Sequence, residues 1–325
     1  MTHFVRGHYG ILIPQFIDIG VPDTNINFSG HITTELIDSK TKKIKRKLQF
    51  SNLIVDVGLN NMCEIRILTN FAGLAPYCGV GTGNTPPSNS DTNLEAVVSG
   101  GRAVYASAGS GYVPGTPDYH FGKQTYLFTE SQANGNLTEI GFFDVSSAGN
   151  LFSRQLFKDD LGNPTALVKT SNDQLRVTYE VRIYPPAADI VYADQNISGS
   201  LYTVTSKVVN VGSNRWQNML NEGMAPSQNY QFRARSQELT TRTSTATPAA
   251  IGSTTFADQV NSVYVAGNFY RDATFTWQPT NGTGDIVCIC QDNPRYGFNF
   301  SPALSKTNTK RLVVNARFSW GRFTP

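Results

Sequence analysis

At 325 residues the chain is long enough for about two domains of roughly 150 residues each. Charged residues make up only 16% against 39% hydrophobic, with 28 Gly, 14 Tyr and 19 Phe, a profile that fits pleated sheets and permissive turns and excludes a coiled coil. The formal net charge of +3 is too small for the whole molecule to track a polyanion, so nucleic acid is not an expected partner.

No run approaches the ~18 apolar residues of a membrane helix, and the start MTHFVRGHYG lacks the apolar stretch of a signal peptide. Neither membrane insertion nor export is expected, and the chain reads as made and kept in the cytosol until assembly. Cys63, Cys78, Cys288 and Cys290 are too few for a disulfide framework. In a strand, Cys288 and Cys290 would stand about 6.6 Å apart with parallel side chains, a poor disulfide geometry. Buried free thiols are expected.

In chain order, residues 1–27, with Pro14 and Pro22, read as an extended docking arm. From Phe28 the pattern turns to period two, with Phe28, Ile32 and Leu36 on one face and Ser29, His31, Thr33 and Glu35 on the other. SKTKK makes a turn and IKRKLQF returns with Ile44, Leu48 and Phe50 on one side, a hairpin. After the short apolar NLIVDVG, the spacing of Leu59, Met62, Ile65 and Leu68 predicts a helix. APYCGVGTGNTPPSNSDTNLEAVV reads as a strand, a Gly/Pro/Ser loop and a short helical turn opened by Asp91 or Thr92. SGGRAVYASAGSGYVPGTPD reads as a long loop.

FGKQTYLFTESQANGNLTEIGFFDVSSAGNLFSRQLF predicts three strands of an antiparallel meander, with turns at ANGN and SSAGN. In QLRVTYEVRIY, Leu175, Val177, Tyr179, Val181 and Ile183 alternate with Arg176, Thr178, Glu180 and Arg182, until Pro185 and Pro186 stop the strand. That stop divides the chain into domains 28–186 and 187–325. LYTVTSKVVNV, ATFTWQP, DIVCICQ and RLVVNARFSWGRF are further strands, RWQNMLNEGMA a helix and TTRTSTATPAAIGSTT a polar loop. The expected fold class is mainly β: two antiparallel β-sandwich-like domains with one or two short helices.

GVGTGN (Gly79, Gly81, Gly83) invites a phosphate-site reading, yet no Lys follows and Pro86 and Pro87 block a helix start, so a tight turn is expected. The four histidines, His3, His8, His31 and His120, are scattered, so no metal is expected, and His31 is read as a solvated side chain. No G-x-S-x-G elbow marks a nucleophile. Asp159 with Asp160, Glu130 with Glu139, or Asp285 with Asp292 would supply the two acids of a glycosidase, but turn-capping and hairpin-flanking roles are favoured. No catalytic residue and no cofactor is expected.

Lys40, Lys42, Lys43, Lys45, Arg46 and Lys47 crowd one hairpin and account for more than the whole positive surplus. They suit the phosphates of nucleic acid or lipopolysaccharide or an acidic patch on a neighbouring subunit, and they also stop a strand edge from pairing with strangers, the favoured reading. Tyr264, Phe269, Tyr270, Trp277 and Tyr296 offer aromatic faces that suit sugar rings, although such residues more often fill β-cores.

The order NLIVDVGLNNM, CGVGTGNTPPSNSDTNLEA, NLTEIGFFDVSSAGNLFSRQLF and LRVTYEVRIYP, after the first hairpin, resembles bacteriophage tail structural proteins of the tail-fibre and baseplate-associated kind. In these, an N-x-I-x-D-x-G-L segment precedes a G-x-G-T-G loop with a downstream Asp and a T-E-I-G-F-F hairpin; the likeness covers residues 28–186, and FSWGRF resembles the last strand of such virion proteins. The resemblance implies a non-enzymatic virion component assembled in the host cytoplasm, a homo-oligomer bound to other virion proteins. The alternatives are a receptor-binding protein that takes a host surface glycan through its C-terminal domain, a polysaccharide depolymerase, or a head-decoration protein.

Overall fold

The computed structural model describes residues 15–19, 23–64, 75–144, 150–209, 212, 232–241, 244, 248–249, 251, 257–291 and 296–324. The protein is mainly β. Eight strands close into a barrel: β2 (Asp23–Asp38), β3 (Ile44–Ile54), β4 (Tyr77–Gly81), β5 (Val97–Val113), β6 (Tyr119–Phe128), β8 (Glu139–Phe143), β9 (Leu151–Leu156) and β11 (Asp173–Tyr184). Around the barrel the order is β11, β6, β5, β4, β8, β9, β3, β2, and β2 returns to β11 along a ladder running from Asp173 opposite Asp38 to Tyr184 opposite Asn27.

Period-two alternation makes the closure favourable. Every second residue of β11, from Leu175 through Val177, Tyr179 and Val181 to Ile183, is fully buried, and Ile32 and Leu36 of β2 are buried beside them. Aromatic rings fill the interior: Phe142 stacks on Tyr179 at 3.8 Å, with Tyr126 and Phe152 beside that pair. β8 and β9 are buried on both faces, because a second small core of Val55, Leu94, Phe143 and Leu151 lies outside the barrel wall. That outer core is roofed by the 82–96 loop and by the one helix among the described residues, α1 (Asp56–Glu64). Gly58 lets α1 sit against β9: a Cβ there would stand 2.1 Å from the Phe152 carbonyl oxygen.

The C-terminal half adds a five-stranded sheet and an extension of the barrel sheet. β12 (Ile190–Ile197), β13 (Ser200–Val208), β18 (Tyr296–Lys306), β17 (Gly284–Gln291) and β14 (Phe232–Arg235) form the five-stranded sheet, in that order. β19 (Lys310–Arg322), β16 (Tyr270–Trp277) and β15 (Asp258–Asn261) continue outward from β2. The two sheets meet at Phe232, whose ring packs 4.3 Å from Phe275 and 6.5 Å from Phe318. The free edge of β19 takes β1 (Gln15–Ile19) in parallel along residues 310–314, and then the start of β2 along residues 317–322. Residues 15–19 and 23–28, read from sequence as the end of an arm and the start of a strand, are thus spent on a strand of the same chain.

Several expectations are corrected. The N-terminal half is a closed barrel, not a sandwich: β11 pairs with β6 on one edge and β2 on the other, so the sheet meets itself and the apolar faces of its strands share one interior. The meander is not one: β6 pairs with β5 and β11, and β4 and β5 stand between it and β8. The ANGN turn leads instead into β7 (Gly135–Leu137), which pairs with β10 (Leu167–Lys169). SGGRAVYASAGSGYV is a long strand rather than a loop. No helical turn follows Asp91 among the described residues. The RWQNMLNEGMA helix, Ile65 and Leu68, His3 and His8, and residues 146–149 of the SSAGN turn lie outside the described residues. No helix is long and apolar enough to cross a membrane, which says nothing about strands.

Candidate functional site

The 82–96 loop, β8 and β9 converge on one buried ion pair. Glu139, at the start of β8, is fully buried and faces outward from the barrel under the 82–96 loop. Its Oε1 accepts the amides of Gly83 (3.1 Å) and Ala96 (2.7 Å), and its Oε2 accepts the Glu95 amide (3.1 Å) and Arg154 Nε (3.0 Å). From β9, Arg154 reaches on to Asp91 with Nη1 at 2.7 Å and to the Thr85 carbonyl with Nη2 at 3.0 Å. Burial would lower the Arg154 pKa, but the hydrogen bond to Asp91 and the charge of Glu139 outweigh it and raise it. Glu95 in turn accepts the amides of Asn84 and Thr85, and the Thr85 amide holds its carboxyl below the usual range.

The glycines of GVGTGN therefore admit a carboxylate of the chain itself. A Cβ on Gly81 or Gly83 would stand 2.5 or 2.6 Å from Glu139 Oε1. Asp91 caps no helix; its side chain ties the Ser88 amide to Arg154. Sequence reasoning weighed Glu139 and Asp91 but missed Arg154 and Glu95. The available signal is one acid in the otherwise apolar segment EIGFF and one arginine between the apolar ends of LFSRQL.

The N-x-I-x-D-x-G-L segment makes a second joint. Leu59 offers its carbonyl to Trp320 Nε1 at 2.8 Å, and Arg322 donates to the Ile54 carbonyl and to Asp56. Asn60 Oδ1 accepts the Tyr264 hydroxyl (2.6 Å) and the Gly267 amide (2.9 Å). Here the helix between β3 and β4 is bound to the far end of the chain.

Of the five aromatic candidates, Trp277 is fully buried, and Tyr296 is 4% exposed with its hydroxyl accepting from Ser206. Tyr264 and Phe269 pack against the core, and Arg317 lies 3.6 Å over the Tyr270 ring. They form no common exposed platform. In the basic hairpin, Lys45 pairs with Asp173 (2.6 Å) and Asp38 (3.0 Å), and Arg46 donates to Ala166 and Thr165. Lys40, Lys42, Lys43 and Lys47 are exposed around the tip. The run continues into β3, which meets β9 only through Leu53 and Ile54.

Asp159 caps its own turn through the amides of Leu161 and Asn163, and Glu130 accepts the Gln174 amide. Asp292 lies outside the described residues. Cys78, Cys288 and Cys290 are buried free thiols, and no group of three or more metal-ligating side chains occurs among the described residues.

The outer wall of β3, β2, β11 and β6 carries ordered polar rows. Ser51, His31, Glu180 and Lys123 stand in one register row, and Gln49, Thr33, Thr178 and Thr125 in the next. Between them lies a cleft of about 400 Å³ lined mostly by polar residues, His31, Thr33, Gln49, Ser51, Thr178, Glu180 and Arg182, together with Ile32 and Phe50. His31 is not freely solvated: its Nε2 lies 2.9 Å from Ser29 Oγ and its Nδ1 3.3 Å from Ser51 Oγ. Burial, then the Arg182 charge, pulls its pKa down to about 4 against the opposing pull of Glu180, so the ring is neutral near pH 7. β2, which carries His31, is paired on both edges here, so the row offers hydrogen-bonding side chains without a cluster of backbone donors to hold an oxyanion.

Large apolar side chains stand exposed beside the outermost strand. Val260 of β15 is 68% exposed, and Val263 and Val265 just after it are 88% and 58%. Among the described strands β15 pairs only with β16. Comparison of the chain with protein-family models, curated proteins and solved structures gives no match.

Proposed function

We propose that this chain is a non-enzymatic structural component of a bacteriophage virion, placed in the tail, baseplate or fibre-attachment region and working as a homo-oligomer bound to other virion proteins. The observation that carries the reading is the exposed valine group at the end of an outer strand and just after it: three large apolar side chains within six residues are costly to leave in water and suit burial by a neighbouring subunit. The use made of the motif residues supports it. Glu139, Arg154, Asp91 and Asn60 fasten the loop and the helix to the sheets, which gives the rigidity that a repeated building block requires. Interfaces of about 1,600 Å² repeated around a symmetry axis would supply stability by multiplicity.

Gold-labelled antibody against the full chain, applied to purified particles, tests the proposal. Label at a fixed place on the tail is the expected result; particles that carry no label and no peptide of the chain by mass spectrometry overturn it.

A further inference from the structure

The polar cleft on the barrel wall has no part in the joints that hold the fold together, and its chemistry is specific. Its volume, about 400 Å³, lies within the range of small-ligand sites. Its lining presents hydroxyls from Thr33, Ser51 and Thr178, the Gln49 amide, the His31 ring and one carboxylate–guanidinium pair. The charges of the lining itself balance, because Arg182 Nε meets Glu180 at 2.8 Å; Lys123, opposite Glu180 in the ladder, is not part of the lining. An anion or a cation would gain little net attraction, whereas a neutral ligand rich in hydroxyls finds donors and acceptors side by side.

We propose that this cleft binds a neutral saccharide, with Gln49, Thr33, Thr178 and Glu180 contacting its hydroxyl groups.

Two further observations fit that ligand. The hydrogen bond that Gln49 donates to Thr33, at 3.2 Å, is exposed to solvent, so a ligand hydroxyl replaces it at little cost. The backbone beneath is fixed, because β2 is paired with both β3 and β11. The site is therefore already formed, and little ordering cost is left for a weakly binding sugar. The inference does not rest on assembly: it holds equally for a monomer, and the two are tested separately.

The test uses the full chain on an array of neutral oligosaccharides, built from hexoses and deoxyhexoses, beside anionic ones that carry uronic acids or phosphates. Retention of one or more neutral members is expected, with affinity falling about tenfold or more in Gln49→Ala/Thr178→Ala through lost hydrogen bonds. Gln49→Ala alone changes an exposed side chain, keeps the fold, and should show part of that loss. Lys42→Glu/Lys43→Glu, at the hairpin tip, should leave neutral binding unchanged. The proposal is overturned if no neutral member binds at about 1 mM, the weak end of measurable affinity. It is equally overturned if binding survives both cleft variants, or if only anionic members bind and do so through the lysines.

Discussion

Arg154 Nε and Nη2 both rest on Glu139 Oε2, at 3.0 and 2.9 Å, with the two side chains 3% and 0% exposed. Three backbone amides of the 82–96 loop point at the same carboxylate, so the arginine balances a charge that also organises the loop. Arg154→Met leaves that charge buried without its counter-ion and should cost about 3–5 kcal/mol. Urea unfolding measures it. A loss below about 1 kcal/mol, the level of a surface pair, would mean that the loop is held by something else.

The glycine at position 83 should behave differently from one on an open strand. Gly83→Ala places a methyl 2.5 Å from Glu95 Cβ and should cost about 1–3 kcal/mol through overpacking. Gly109→Ala meets only Lys123 side-chain carbons at 3.5 and 3.8 Å, ordinary contact, and should leave stability within about 0.5 kcal/mol. Tm shifts of the two variants, with protease nicking of the 82–96 loop, check the contrast. Equal shifts would contradict it.

The joint between α1 and the C-terminal half is open to a double-mutant cycle. Tyr264→Phe removes the donor that Asn60 accepts at 2.6 Å, and Asn60→Ala removes the acceptor of both Tyr264 and the Gly267 amide. Single losses of about 0.5–1.5 kcal/mol and about 1–3 kcal/mol are expected. Because the residues touch, the coupling should exceed about 0.5 kcal/mol; additive losses would show that the contact carries no energy.

Much of this architecture is legible in the sequence where one face of a strand is apolar. The alternation in QLRVTYEVRIY places Leu175 to Ile183 in the core, and that in RLVVNARFSWGRF does the same for Leu312 to Trp320. Leu59 and Met62 turn inward from α1 as their spacing predicts. The closure of β11 on β2 is not legible, because ladder partners more than a hundred residues apart leave no local signal. β5 reads as a loop because ASAGSG has no side-chain alternation, yet its backbone is paired to β6 through that stretch. The site was half visible: Glu139 and Asp91 could be named, but not that the fold would bring both to Arg154. The alternation puts His31 on the polar face as a solvated side chain, but its shelter between Ser29 and Ser51 depends on two strands lying in register.

His31 also sets a pH dependence. Its folded pKa of about 4 lies below the unfolded value of 6.5, so between those limits the unfolded chain binds more protons and stability rises with pH. The contribution of the neutral ring is fully present above pH 6.5 and is lost as pH falls toward 4. His31→Asn should therefore flatten the Tm profile across that window. An unchanged slope would mean that the ring titrates normally in the folded protein.

The claim that the chain is a virion building block held by its neighbours meets its most direct test in cryo-electron microscopy of intact particles. The account predicts copies of the chain around a rotational axis, with Val260, Val263 and Val265 covered by an adjacent subunit. Particles without the chain, or copies whose three valines face open solvent, would contradict it.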